Sequence, residues 1–359
     1  MRTVRLNITL GLAAALLAVT SFEAAADVSV TLKRANRVAK NEKPSGRATG
    51  AVPLTDASGF EYFINTDITF ATTSSASGAA SEASYTGSVN ADTSGGGTVA
   101  STLNDAFDGY GTLCVSTDGS TGPCETGNAS YTVYNQNGAA TTECGGRQVV
   151  LAAQTIGSLT VQRKVYVPDT DEYIRFLNIV TNNGGAAATV NLIASNNLGS
   201  DANTTVVTTD SGDATVTTAD RWATSFQAFS GTTSSDPRLG HVFYGTGGAV
   251  GLAAITFVNG DDNPTWAHTL TLQPGETRSV AWFTTGQESR AAAAAKAAEL
   301  AAFGPNTQTC LSATELGQIA NFAAAGPVTP VVEVPTASTY GLIGLALLLA
   351  GAALVIFRR

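Results

Sequence analysis

Apolar positions recur every second residue through the middle of the chain. In SLTVQRKVYVP, Leu159, Val161, Val165 and Val167 fall on one face of an extended chain, and Thr160, Gln162, Lys164 and Tyr166 fall on the other. Arg163 interrupts the apolar face, and Pro168 closes the strand. In EYIRFLNIVTNNGG, Ile174, Phe176 and Val180 alternate with Arg175, Leu177 and Ile179, and NNGG at Asn182 to Gly185 signals a turn before ATVNLIAS. These segments predict a meander of antiparallel strands. Further strands are expected at Glu61 to Ala71, Ser130 to Tyr134, Thr204 to Thr209, Ala214 to Thr218, His241 to Tyr244, Val250 to Val258, His268 to Leu272 and Arg278 to Thr284.

Helical spacing comes late. SRAAAAAKAAELAAFGP starts at a Ser289 cap and stops at Gly304 with Pro305 behind it. LSATELGQIANFA carries a capping box, Ser312 to Glu315, with Leu316, Ile319 and Phe322 on one face. No helix-period segment lies between the strands to make parallel crossovers. The expected fold is therefore mainly β, an antiparallel β-sandwich with two short late helices.

Both ends carry a different pattern. Arg2 and Arg5 precede an apolar stretch from Ile8 to Phe22, and the small residues Ala24, Ala25 and Ala26 follow, the order of a secretory signal peptide cleaved before Asp27. At the other end, Pro327, Pro330 and Pro335 make an extended linker, Gly341 to Phe357 is an unbroken apolar run, and Arg358 and Arg359 close the chain on the cytoplasmic side. The organisation expected is a signal peptide at 1–26, a basic arm at 27–50, a β domain at 51–323, a Pro-rich linker at 324–333 and a C-terminal segment at 334–359 with a transmembrane helix at 341–357.

Charge and cysteine content agree with export. Without Arg2, Arg5, Glu23, Arg358 and Arg359, the 19 basic and 28 acidic residues fall to 15 and 27. An acidic surface argues against a nucleic-acid partner, which needs a basic face for phosphates. The exception is KRANRVAKNEKPSGR, from Lys33 to Arg47, expected to be a solvated, loosely ordered arm, with a weak electrostatic contact to an anionic cell surface as the alternative. Four cysteines in an oxidising compartment predict two disulfides. The turn-rich separation of Cys114 and Cys124 favours that pair, which leaves Cys144 with Cys310.

The chemistry-bearing residues are few. The chain holds two histidines, His241 and His268, neither in metal or triad spacing, and both are expected to be packed in strands. No nucleophile elbow, zincin or phosphate-loop motif is present, so no catalytic residue, cofactor or metal is expected. Asn104, Asp105 and Asp108, then Asp201 and Asn203, then Asp261, Asp262 and Asn263 could offer oxygens to calcium, but turn formation explains them as well. Trp222, Trp266, Trp282, Tyr166, Tyr173 and Tyr244 could line a sugar-binding face or fill the core. Arg221 and Arg238 are expected to anchor loops or form salt bridges, and the small-residue stretch from Thr72 to Ser101 to form a mobile surface loop or two edge strands with long turns.

Two resemblances add to this reading. Val334 to Gly341, VPTASTYG, resembles the I-P-T-L-S-x-W-G signature of IPTL-CTERM sorting domains: Pro335, Thr336, Ser338 and Gly341 match, whereas Val334, Ala337 and Tyr340 replace Ile, Leu and Trp. The same residues are similar to the V-P-E-P-S-T-Y form of PEP-CTERM tails, departing at Thr336 and Ala337. Either resemblance implies export, transient inner-membrane retention, and recognition by a membrane exosortase of a Gram-negative bacterium. From Arg163 onward, RKVYVP, FLNIVTN, NNLGSD, TADRW and LQPGETRSVAWF together resemble bacterial extracellular modules of mutarotase-like supersandwich type. That implies the fold and brings no catalytic residue. The function expected is a cell-surface or extracellular-matrix protein with a non-catalytic β domain. The alternatives are a module binding extracellular polysaccharide and a polysaccharide-active enzyme.

Overall fold

The computed structural model describes residues 51–324, apart from 67–79, 85–88, 93–97, 102–105, 108, 123–128, 135–139, 201–202 and 229–236. The expected signal peptide, basic arm, sorting signature and transmembrane helix at 341–357 lie outside the described residues. Within the described residues, no helix is long and apolar enough to cross a membrane.

The strands up to the first long hairpin are β1 (Val52–Thr55), β2 (Glu61–Ile64), β3 (Ala80–Ser84), β4 (Val89–Asp92), β5 (Thr98–Ser101), β6 (Gly109–Ser116), β7 (Thr132–Val133), β8 (Thr141–Glu143), β9 (Gln148–Val150) and β10 (Gln154–Ile156). There follow β11 (Leu159–Tyr166), β12 (Ile174–Asn182), β13 (Ala188–Asn197), β14 (Thr204–Thr209), β15 (Trp222–Gln227), β16 (Arg238–Val242), β17 (Ala254–Thr256), β18 (Thr265–Leu272) and β19 (Thr277–Gln287). Two helices close the domain, α1 (Arg290–Ala301) and α2 (Ala313–Gln318).

These strands form an eight-stranded sheet in the order β1-β2-β3-β6-β13-β18-β17, with β7 beside β6, and a nine-stranded sheet in the order β14-β15-β16-β19-β12-β11-β9-β8, with β10 beside β11. The remaining strands β4 and β5 pair with each other. Neighbouring strands run antiparallel, as β11 does with β12 in the larger sheet and β13 with β18 in the smaller one.

The apolar alternation puts a core between the two sheets. Leu159, Val161, Val165, Phe176, Val180, Val280 and Trp282 of the nine-stranded sheet face Val190, Leu192, Ala194, Trp266 and Leu270 of the eight-stranded sheet. The opposite face of the nine-stranded sheet is also apolar, because Leu177, Ala281, Phe283 and Val242 pack against Ala297, Leu300 and Phe303 of the helical segment. Helix α1 starts at the expected Ser289 cap, whose side chain accepts from Ala292 N. Its alanines allow a close approach to the sheet. A Cβ on Gly240 would stand 2.8 Å from Thr285 Cγ2 and 3.1 Å from Ala293 O, so only glycine fits there without a shift.

Several expectations are corrected. The strand β13 does not continue a meander with β11 and β12 but crosses to the other sheet. The Asn182 amide holds that crossover by donating to Ala186 O and Leu272 O while accepting from Gly184 N. Residues 214–218 form no strand, because Asp213 accepts from Thr215 N and Asp220 from Thr217 N, which diverts the backbone into turns. In the region of Val250 to Val258, the strand is confined to Ala254–Thr256. The capping box of α2 is present, but the helix ends at Gln318, and Ile319 is extended. Ile319 bridges Ser279 instead, and Ala320 N donates to Ser279 O at 2.8 Å, so sheet pairing outcompetes another helical turn.

Candidate functional site

The interior between the sheets contains the chain's two histidines and an unpaired arginine. His241, on β16, is fully buried; Tyr110 Oη on β6 lies 2.7 Å from its Nδ1, and Ser225 Oγ on β15 lies 2.8 Å from its Nε2. The ring and both hydroxyls thus link the two sheets. Burial pushes the His241 pKa down to about 3 and the Tyr110 phenol far upward, so both are neutral near pH 7. A tyrosine, histidine and serine in series have the components of a proton relay. Tyr110 and His241 have no exposed surface and Ser225 has 1%, so this arrangement cross-links the two sheets inside the core.

His268 on β18 is equally buried, and burial pushes its pKa to about 3 against a smaller upward pull from the Phe243 backbone. Trp282 Nε1 on β19 donates to its Nδ1 at 3.3 Å, again across the two sheets. Arg163 lies beside this pair. The period-2 register of β11 places it inward with Val161 and Val165, and it is fully buried. Its guanidinium carbon sits 4.8 Å from the Phe176 ring centre and 5.6 Å from that of Trp282. Its Nε, Nη1 and Nη2 make no hydrogen bond. Burial lowers its pKa to about 9.

The other polar groups singled out in the sequence have structural partners. Arg221 Nε and Nη2 donate to Asp210 at 2.5 and 2.8 Å, and Arg221 also bonds Thr246, closing the loop before β15. Arg238 is fully buried, with its guanidinium 5.4 Å from the Phe226 ring centre. Of the six aromatics, Trp266, Trp282 and Tyr173 are fully buried and Tyr166 nearly so, while Trp222 and Tyr244 keep part of their surface. Tyr244 Oη donates to Ala219 O at 2.7 Å. Asp261 accepts from Asn263 N and Asp262 from the Asn263 amide, as turn residues do. Among the described residues, no three His, Cys, Asp or Glu side chains are grouped to hold a metal ion. Asn104, Asp105, Asp108 and Asp201 lie outside the described residues.

A second cluster holds the end of the domain. Cys144 is disulfide-bonded to Cys310, 166 positions away. Cys114 is also disulfide-bonded, and Cys124 lies outside the described residues. Next to the Cys144–Cys310 bridge, Arg175 Nη1 donates to Thr307 O at 2.7 Å and Thr309 O at 2.8 Å, while Nη2 donates to Gln148 Oε1 at 3.0 Å. Lys164 pairs with Glu143 at 2.8 Å and Glu315 at 2.9 Å. Beyond α2, Asn321 acts as an added strand position: its amide accepts from Ala281 N and donates to Ala281 O and Phe243 O. Gly248 lies against its backbone, where a Cβ would come within 2.3 Å of Asn321 O. Nothing in the sequence pattern pointed to Asn321, since one polar residue in a short apolar stretch carries no periodic signal. Arg163 did have a signal, a charge in an apolar register.

No family model and no curated protein matches this chain. Among solved structures, a galactose mutarotase-like protein from Lactobacillus casei ATCC 334 matches at 10% identity and a TM-score of 0.36, covering 66% of this chain and 99% of its own. A protein from Synechocystis sp. PCC 6803 matches at 10% identity and a TM-score of 0.33, covering 68% of this chain and 98% of its own. Likeness of this size transfers neither activity nor site residues.

Proposed function

We propose that this chain is an exported surface or matrix protein of a Gram-negative bacterium, with a non-catalytic β domain displayed after exosortase-type sorting of residues 334–359. The observation that carries this reading is the locked end of the domain. Immediately before the Pro-rich linker, the chain is tied by the Cys144–Cys310 bond, by Arg175 and by the Asn321 contacts with the sheet. A domain held by its C-terminus takes any pull at that end, and a covalent bond plus sheet pairing there resists it. The oxidised cysteines fit a compartment outside the cytoplasm. The burial of both histidines supports the non-catalytic part.

The test is mass spectrometry of the mature protein from surface, medium and inner-membrane fractions. A C-terminus upstream of Gly341 in the surface or medium fraction is expected. An intact 341–359 peptide confined to the inner membrane overturns the sorting reading. The polysaccharide-binding alternative retains Trp222 and Tyr244 as partly exposed aromatics beside Arg221. Glycan binding that is lost in Trp222→Ala would favour it.

A further inference from the structure

The ring of Trp282 is the centre of an interior patch rich in unbonded donors. Arg163 lies 5.6 Å from its centre, Trp266 packs on it edge-on at 6.1 Å, and the His268 ring lies at 6.3 Å. Trp266 Nε1 makes no hydrogen bond, and neither does any side-chain nitrogen of Arg163. Because His268 Nδ1 accepts from Trp282, the proton of the neutral imidazole belongs on Nε2, and the Phe243 backbone is the acceptor that faces the ring. The patch therefore holds an unbonded guanidinium and an unbonded indole N–H.

Acceptors are scarce around it. Asn178 stands directly opposite Arg163 in the strand register, and its Oδ1 is unbonded. Tyr134, the group that couples electrostatically to Arg163, donates its hydroxyl to Ala152 O at 2.6 Å. Among the described residues, no carboxylate contributes to the electrostatics of Arg163. A guanidinium retains its charge, and an uncompensated charge in an apolar interior is costly, so a negative partner is strongly favoured.

We propose that Arg163 anchors an internal site for a small monovalent inorganic anion, of halide type, between the two sheets. One negative charge balances one guanidinium. A spherical ion accepts N–H groups from any direction and tolerates the aromatic and valine side chains around Arg163. A phosphate would bring excess charge and several oxygens needing donors of their own. The Trp266 N–H is the further unbonded donor of this patch.

Bromide is a direct probe. Crystals of the protein grown in sodium bromide should show an anomalous peak within hydrogen-bond range of the Arg163 guanidinium. In solution at fixed ionic strength, chloride or bromide in place of gluconate should raise Tm saturably, by about 5 °C at a hundredfold excess over Kd. Arg163→Met and Arg163→Gln should lose this response. No bromide peak at Arg163, or an equal halide response in a folded variant, overturns the proposal. If neither variant folds, the bromide peak alone decides.

Discussion

Two arginines on neighbouring strands of one sheet are buried in opposite ways. Arg175 points to the helical side, where it donates to Thr307 O, Thr309 O and Gln148 Oε1 and packs 4.7 Å from the Tyr166 ring centre. Arg163 points to the inner side, packs on Phe176 and Trp282, and donates to nothing. Both are fully buried. The difference teaches that burial alone does not say what a charge is for. Arg175 is consumed in fastening the last segment to the sheet, whereas Arg163 retains its bonding capacity.

The strongest way to break this comparison is Arg175→Met. It strands the carbonyls of Thr307 and Thr309, and a loss of about 3–5 kcal/mol is expected from urea unfolding. A loss below about 1 kcal/mol would mean that Arg175 fastens nothing.

Acid should test the inner face next. His241 and His268 have pKa values near 3 when folded and about 6.5 when unfolded, so the stability they contribute is complete above pH 6.5 and declines as pH falls toward 3. By pH 4 the loss is about 3 kcal/mol per histidine. Asp56 acts with the opposite sign: burial raises its pKa to about 7, so its contribution is present below 3.8 and declines as pH rises through 7. Comparing wild type with His241→Gln isolates one histidine, and urea midpoints from pH 8 to 4 should fall less steeply in the variant. Parallel slopes would show that His241 is not held neutral.

The smallest effect sharpens the comparison most. In halide-free buffer, Arg163→Met should lie within about 1 kcal/mol of wild type or be more stable, because it removes a charge with no partner. A loss of about 3 kcal/mol or more by urea unfolding would place Arg163 with Arg175, as a structural fastener.

Much of the fold was legible in the residues. The alternation in β11 and β12, the Ser289 cap and the Ser312–Glu315 capping box all occur where local chemistry places them. The route of β13 was not, because NNGG specifies a turn but not whether the next strand rejoins the same sheet. At residues 214–218, two aspartates took the backbone donors that a strand would have used, a competition that apolar and polar periodicity does not register. The candidate site was legible in part. Arg163 was visible as a charge on an apolar face, but that its side chain makes no hydrogen bond was not.

The sequence by itself determined strand periodicity, helix starts and the unusual inward register of Arg163, because these depend on neighbours within a few positions. Only the tertiary structure decided that His241 meets Tyr110, that His268 meets Trp282 and that Asn321 fits beside β19. Those contacts join residues from different strands and different sheets, and they arise from how two sheets stack and where the chain end docks. Local pattern carries information about faces, whereas pairing across a core is fixed by packing of the whole domain.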